Sequence, residues 1–482
     1  MKDDISKHSY IVLIAFIISS VLNYLYQIAM GVMLPKAQYG ILGVALSVYL
    51  IASVLTQNTF SWSGTRRMAS TDDPLELART FRTVLTGNLC LALIAAIAII
   101  TLSLGSGEYE VPNLIVGVSV ILSAFVASFN SLVRARKKFL VLASANASMA
   151  LLRLFVAVVL VLIGLGVVGA LGGLATSLAI VCLYLYFWVR RLDLPPTHRL
   201  SFDMLEETLY VSITFIGVAY LVNLSIIFAK VLGCTNAVAG DFNASLTISR
   251  GVFFVTGALI TVLFPYVSSE SSKERIAFQS VKYFVLLVFP LCLTMAVNPK
   301  LWLVSFFGWK YVEGAGVLRI LALGMGFVSL VFLLSSNMIA MEEFRVPALC
   351  LVFGMLLQMA IVAVFKRDPT TSSALSIAVA SFVVLVLILR SYVRGYYFKA
   401  TPSHLIRITI AYATLTIVFS SLKPVGRITS ILETSIAFTI YAFVLTLLRL
   451  FDERDVEVLL SPLPRSIVER IGAIVRTLNG VR

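Results

Sequence analysis

The chain has 482 residues, of which 59% are hydrophobic and 13% charged, with a formal net charge of +14. Soluble domains run at roughly 45–50% apolar and about 25% charged, so a water-soluble fold of this composition would expose large apolar patches. Apolar stretches of about 20 residues recur along the chain, each long enough to cross a hydrocarbon layer of about 30 Å. They are continuous rather than alternating with period two, which excludes a membrane β-barrel and predicts an all-α integral membrane protein.

In chain order, fourteen spans are predicted: 10–33, 40–62, 82–104, 112–132, 140–163, 168–189, 210–232, 244–267, 279–298, 317–340, 346–365, 372–393, 404–422 and 428–450. The first run is too long for the apolar core of a signal peptide and no small-residue cleavage site follows it. On one side of the membrane, Asp73-Pro74-Leu75-Glu76 reads as a helix start, with a capping Asp, Pro at the first helical position and Glu at the third. A short amphipathic helix there is expected to lead into the third span. The longest segment on the opposite side, Asn298 to Gly316, has room for an interfacial helix but not for a soluble catalytic fold. After Phe451, Ile467, Val468, Ile471, Ile474, Val475 and Leu478 share one helical face, and a basic surface helix on the inner leaflet is expected over 452–482.

An even number of spans puts both termini on one side, and the basic residues follow that alternation. The loops sharing a side with the termini carry 27 Lys and Arg, and the opposite loops carry nine. This bias predicts cytoplasmic termini and a cell (plasma) membrane protein. The net charge is thus a topology signal: anionic lipid headgroups of the inner leaflet are its expected partner, not nucleic acid. Of 38 basic residues, only Arg153 and Arg250 fall well inside predicted spans.

The five cysteines (Cys90, Cys182, Cys234, Cys292 and Cys350) lie in or beside different spans without CxxC spacing, and read as core fillers. His8, His198 and His404 fall in loops or at span ends, so no zinc or nucleophile constellation assembles. No cofactor is expected.

An offset of 200 residues aligns Tyr10 with Tyr210, Asn23 with Asn223, Ala29 with Ala229, Gly40 with Gly240, Leu46 with Leu246 and Thr56 with Thr256, without a gap. The matches are few, but each falls in a span pair followed by a basic loop. A parallel repeat is expected, with an N-terminal lobe over 1–200 (spans 1–6), a C-terminal lobe over 201–400 (spans 7–12) and an appended pair over 401–451 (spans 13 and 14).

The opening SSVLNYLYQIAMGVMLPKAQYGILGVALSVYLIASVL resembles the first two spans of the polysaccharide transporter, or oligosaccharide flippase, family. That family belongs to the multidrug/oligosaccharidyl-lipid/polysaccharide exporter superfamily. The marks are the Asn-aromatic stretch of span one, the Tyr39-Gly40 loop end and a small-residue second span. The stretch AGDFNASLTISRGVFFVTGALITVLFPYVSS is similar in its Gly-x-Phe entry, Ser-Arg pair and Phe264-Pro265 exit. The resemblance implies two six-helix bundles in a V around a cavity open alternately to each face. The implied cargo is a glycan on a polyprenyl phosphate or pyrophosphate, with glycan-assembly proteins as further partners and a monomer as the working unit.

Moving such a lipid requires fixed positive charge for phosphate and amides, hydroxyls and aromatic faces for sugars. Arg153 and Arg250 supply the charge; Asn23, Gln27, Gln57, Asn58, Asn88, Asn146, Asn223 and Asn337 supply amides; Tyr24, Tyr26, Tyr49 and Tyr220 supply rings. Arg153, Arg250, Asn23, Gln27, Asn223 and Tyr26 are the expected substrate-binding set. An arginine at mid-span costs roughly 2.5–3.5 kcal/mol on insertion scales, so it faces a cavity or a partner unless it snorkels. For Arg250, about ten ångströms of helix from the outer end of the predicted span, snorkelling competes, as does a structural bond to carbonyls or to Asp241. For the amides, hydrogen bonding between helices competes, and the small residues of GALGGLATS (Gly169 to Ser177) read as a close-packing surface.

Only Glu433 among the acidic residues falls inside a predicted span. A multidrug or small-molecule antiporter of the related branch is the alternative reading, and the lack of an intramembrane carboxylate for a proton or organic cation speaks against it. A membrane glycosyltransferase would need an acidic catalytic residue or a large outer loop, so no enzymatic activity is expected.

Overall fold

The structure is a computed structural model and describes residues 2–197, 205–267, 279–365, 368–395, 402–450 and Asp455. Among these residues the secondary structure is helical throughout, without strands. The tail predicted over 452–482 lies outside the described residues, Asp455 excepted.

The helices are α1 (Lys2–Met33), α2 (Lys36–Asn58), α3 (Ser61–Ser70), α4 (Pro74–Ser103), α5 (Glu110–Ala135), α6 (Phe139–Leu160), α7 (Gly166–Arg190), α8 (Leu205–Val231) and α9 (Asn236–Val267). After these come α10 (Gln279–Val297), α11 (Pro299–Phe307), α12 (Ala315–Ala340), α13 (Arg345–Val364), α14 (Pro369–Gly395), α15 (Pro402–Ser421) and α16 (Arg427–Leu447). Among the described residues twelve helical stretches are long and apolar enough to cross a membrane, and Ile17–Met33 forms a shorter apolar helix. The fourteen expected spans are not counted out one for one, because Phe139–Arg190 runs as a single 52-residue stretch through two helices. Its bend is a π-helical turn, Val161–Leu165, with Gly164 and Gly166 at φ +93° and +53°. Only glycine adopts those angles without strain.

Local signals explain several boundaries. The Asp73 carboxylate accepts the Leu75 N–H at 3.0 Å, Pro74 opens α4, and Glu76 reaches back to accept from the Thr71 hydroxyl at 2.8 Å and from Arg67 at 3.4 Å. The short amphipathic helix expected after Asp73 lies before it, as α3. No proline interrupts 75–103, so the capped helix continues unbroken for 30 residues. Between 298 and 316 the chain folds into α11 and a 3-10 turn, Gly308–Gly314. Trp302 of α11 is buried and stacks with Phe419 at 6.5 Å between ring centroids.

The eighth span begins earlier than predicted, at Asn236 rather than 244. Asp241 reads as a span flank in sequence, but it is buried in the helix and pairs with Lys36 at 3.1 Å. That neutralisation lets the helix run through it. It also corrects the expectation that no acidic residue is buried among the spans.

The chain divides into two compact units. One comprises Ile14–Asn243 with Glu343–Ala380. In it α5 packs on α2, α4 and α7, α6 packs along α7, and α8 lies between α2 and α13. The starts of α2 and α9 touch backbone to backbone: a Cβ on Gly40 would stand 2.1 Å from the Asn236 carbonyl oxygen, and a Cβ on Gly240 would stand 2.2 Å from that of Lys36. The other unit includes Ala244–Glu342 and the described residues from Ser381 on. There α10 packs on α12 and α15, and α16 packs on α11 and α15.

Candidate functional site

Arg153 sits on α6 in line with Ala157 and Leu160, at spacings that share one helical face. That face turns to α7, because a Cβ on Gly173 would stand 2.6 Å from Ala157, and one on Gly169 would stand 2.9 Å from the Leu160 backbone. The GALGGLATS surface therefore does what its small residues suggest. Close approach of α6 and α7 fixes the orientation of Arg153, which no sequence pattern specified.

On α1, Asn23, Tyr26 and Gln27 occupy positions i, i+3 and i+4 and also share a face. The Arg153 guanidinium lies over the Tyr26 ring, 4.1 Å from its centroid. It donates from Nη1 to the Asn23 Oδ1 at 3.4 Å. Tyr26 is fully buried and its hydroxyl donates to the Ala170 carbonyl of α7 at 3.0 Å. The ring is thus held by α7 and presents its face to the charge, an arrangement worth about 0.5–2 kcal/mol according to desolvation. Because the guanidinium covers that face, Tyr26 serves as a platform for Arg153 rather than as an open stacking surface.

The cluster keeps unused polar capacity. Arg153 is half-buried, and its Nε and the Gln27 Oε1 are buried atoms without a hydrogen-bond partner. Among the described residues Arg153 has no carboxylate partner. Buried polar groups in native proteins are rarely left unsatisfied, and such gaps mark a role or a ligand. A guanidinium has five donors in a planar fork, and a phosphate can engage two of them side by side.

The remaining expected residues are distributed elsewhere. Asn223 is buried on α8 and donates its amide to the Ala219 carbonyl, one turn back, at 2.7 Å. Arg250 belongs to the other unit and is 8% exposed. Since α9 starts at Asn236, Arg250 stands about 21 Å of helix from that end rather than about ten. Snorkelling to that end is correspondingly disfavoured, and Asp241 is engaged with Lys36. Asn88 and Asn337 are buried and bond neighbouring helices, Asn88 to the Ser61 and Ser128 hydroxyls at 3.0 Å each and Asn337 to Ser280 at 2.8 Å. Gln57 is exposed, and the Asn58 side chain lies outside the described residues. The Tyr220 hydroxyl is buried without a partner. Sequence reasoning missed the Lys36–Asp241 pair, for which nothing but the offset of 200 residues brought the two segments to notice.

These features fit a known architecture. The family model described as "Polysaccharide biosynthesis protein" matches residues 5–271. Among curated proteins none matches this sequence. Among solved structures the chain is similar to a lipid II flippase MurJ in an inward closed conformation, with TM-score 0.67 and 13% identity, covering 89% of this chain and 98% of that one. It is also similar to a multidrug resistance MATE family transporter of the MOP superfamily in an outward-facing conformation, with TM-score 0.54 and 15% identity over 84% and 96% of the two chains. A MOP superfamily transporter from Pyrococcus furiosus is similar at TM-score 0.52 and 16% identity, over 80% and 96%. The sequence and the helical architecture lead to one conclusion: this multi-pass membrane protein belongs to the polysaccharide biosynthesis protein family.

Proposed function

We propose that this chain is a flippase that carries a polyprenyl phosphate- or pyrophosphate-linked oligosaccharide from the cytoplasmic to the outer face of the membrane by alternating access, for surface polysaccharide or glycoprotein assembly. The observation that carries the reading is Arg153: a half-buried guanidinium aligned by Tyr26 and Asn23, with no carboxylate partner among the described residues. An anionic cargo would complete that site. An organic cation would be repelled, and Asp241, the acid in α9, is already neutralised by Lys36.

The substrate-binding set remains Arg153, Arg250, Asn23, Gln27 and Asn223, with Tyr26 as the platform beneath Arg153. The two-lobed plan is supported by the contact between Gly40 and Gly240, residues that the offset of 200 pairs. The cell membrane is the proposed location, with cytoplasmic termini supported by the threefold excess of Lys and Arg on their side. Transport without bond making is proposed, so the chain would act on the product of membrane glycosyltransferases as a monomer.

The test is a proteoliposome assay with a fluorescent lipid-linked oligosaccharide, scored by the fraction that becomes accessible to a membrane-impermeant quencher. Protein-dependent movement is expected. Absence of that movement, together with efflux of cationic dyes, would replace the proposal with an antiporter.

A further inference from the structure

A pocket of about 620 Å³ lies between the start of α4 and the end of α7, away from Arg153. On α4 its lining residues include Ala78, Phe81, Arg82, Leu85 and Leu89, a single stripe at helical spacing. Behind these two helices lies α5, which packs on both. Phe129 of α5 is buried, stacks on Phe81 at 6.2 Å and meets Tyr186 of α7 at 6.5 Å. The connection Asp193 to Thr197 also lines it, tied to α4 where Arg82 donates to the Thr197 carbonyl.

Polarity changes along this pocket. Arg82, Arg190 and Asp193 are exposed beside that connection, with two cationic groups to one carboxylate and with Arg191 exposed next to them. Deeper, Phe81, Leu85, Leu89 and Val189 make the walls apolar. From Arg82 to Leu89 the stripe runs about 10 Å along the helix, the first two-thirds of the depth of one leaflet, about 15 Å. Beyond it Ile94 and Ile97 of α4 and Leu183 and Phe187 of α7 are exposed large apolar side chains that only hydrocarbon would cover.

We propose that this pocket holds one anionic phospholipid of the adjoining leaflet, with its phosphate at Arg190 and Arg82 and an acyl chain along the α4 stripe. The charge at one end and the apolar wall that leads from it select a lipid over a soluble anion, and the excess of cationic groups selects an anionic lipid over a zwitterionic one. The site is independent of the transport reading, because it uses none of the residues around Arg153.

Native mass spectrometry of the full chain in detergent tests the site, with dioleoylphosphatidylglycerol and dioleoylphosphatidylcholine supplied at equal concentration. Wild type should retain the anionic lipid preferentially. Arg190→Gln, which leaves the Arg82–Thr197 bond in place, should lower that retention about fivefold, the worth of roughly one basic residue near a lipid surface. Leu85→Trp should block the chain without removing charge and lower retention of both lipids. Equal retention of both lipids by wild type, or wild-type retention by both variants, would overturn the proposal. Displacement by glycerol phosphate would assign a soluble anion instead, and displacement by equimolar undecaprenyl phosphate would assign the site to cargo. Either outcome also overturns it.

Discussion

Gly40 and Gly240 occupy equivalent places on two touching helices, and the contact between those helices is reciprocal. A side chain on Gly40 would strike the Asn236 carbonyl, and one on Gly240 would strike the carbonyl of Lys36. The four residues form two pairs separated by 200 positions, so each helix presents to its neighbour the surface the neighbour presents to it. A reciprocal contact of this kind is what the proposed repeat would produce. Gly40→Ala or Gly240→Ala should therefore destabilise the protein by about 1–3 kcal/mol, the usual penalty for forcing atoms into a packed contact. Gly316→Ala, where no atom lies within 4 Å of the added carbon, should be neutral or slightly stabilising. Thermal unfolding in detergent separates the two outcomes.

Beside that contact, Lys36 and Asp241 form an ion pair whose side chains are 28% and 11% exposed. Partial exposure discounts its worth to about 1 kcal/mol. Asp241→Asn and Lys36→Gln should each lower the unfolding midpoint, and the double variant should lose less than the sum. Reversal of both charges should recover part of the loss. Strict additivity in that cycle would show that the pair is not coupled.

The Arg153 platform makes a graded prediction. Arg153→Ala should reduce lipid-linked glycan transport about 10–100-fold, the equivalent of a charged hydrogen bond of roughly 1.5–3 kcal/mol. Arg153→Lys should retain part of it, since an ammonium keeps the charge but neither the fork nor the flat face. Tyr26→Phe keeps the ring and loses only the bond to Ala170, so it should be milder than Tyr26→Leu, which removes the face under the guanidinium. Immunoblots of membrane fractions check that protein amount is unchanged across the series.

Much of this architecture was legible because it follows from solvation and local geometry. Apolar length predicted membrane helices, and the Asp73-Pro74 start was read correctly because a cap is a contact within four residues. The start of α9 was misread, because the partner that neutralises Asp241 lies 205 residues away. The same limit applies to Arg153: its position in a span was plain, but its direction depends on Gly173 lying against Ala157. Tyr26 was named as a sugar-stacking ring, and its role as a support for the charge emerged only with α1 and α6 in place.

Asp368, just before α14, predicts an acid-sensitive end to that helix. Its carboxylate accepts from the Thr371 hydroxyl, from the Thr370 hydroxyl at 3.0 Å and from the Thr370 and Thr371 N–H groups at 3.1 and 3.3 Å. These bonds, that of the Thr371 hydroxyl foremost, hold its pKa below the ordinary carboxylate value against a smaller opposing effect of burial. A depressed folded-state pKa stabilises the fold above the unfolded value of about 3.9. That contribution is lost as pH falls through the lower folded-state value. Asp368→Ala should lower the unfolding midpoint at pH 6, and the difference from wild type should shrink towards pH 3. A difference that stays constant over that interval would show that ionisation of Asp368 does not support the cap.

Arg250 separates a charge used inside the protein from one that only reaches for water. It is 8% exposed in the middle of α9, and every residue from Ala239 to Arg250 is buried. A snorkelling arginine would tolerate lysine fully and lose little on replacement by glutamine, because its charge would sit among headgroups and contact no cargo. A guanidinium that meets a phosphate should instead lose most transport in Arg250→Gln and in Arg250→Ala, and regain a fraction in Arg250→Lys. The measurement is glycan export in cells that depend on this protein, normalised to the amount in the membrane. Full export by the alanine and glutamine variants would remove Arg250 from the substrate path and leave Arg153 as the sole proposed phosphate ligand.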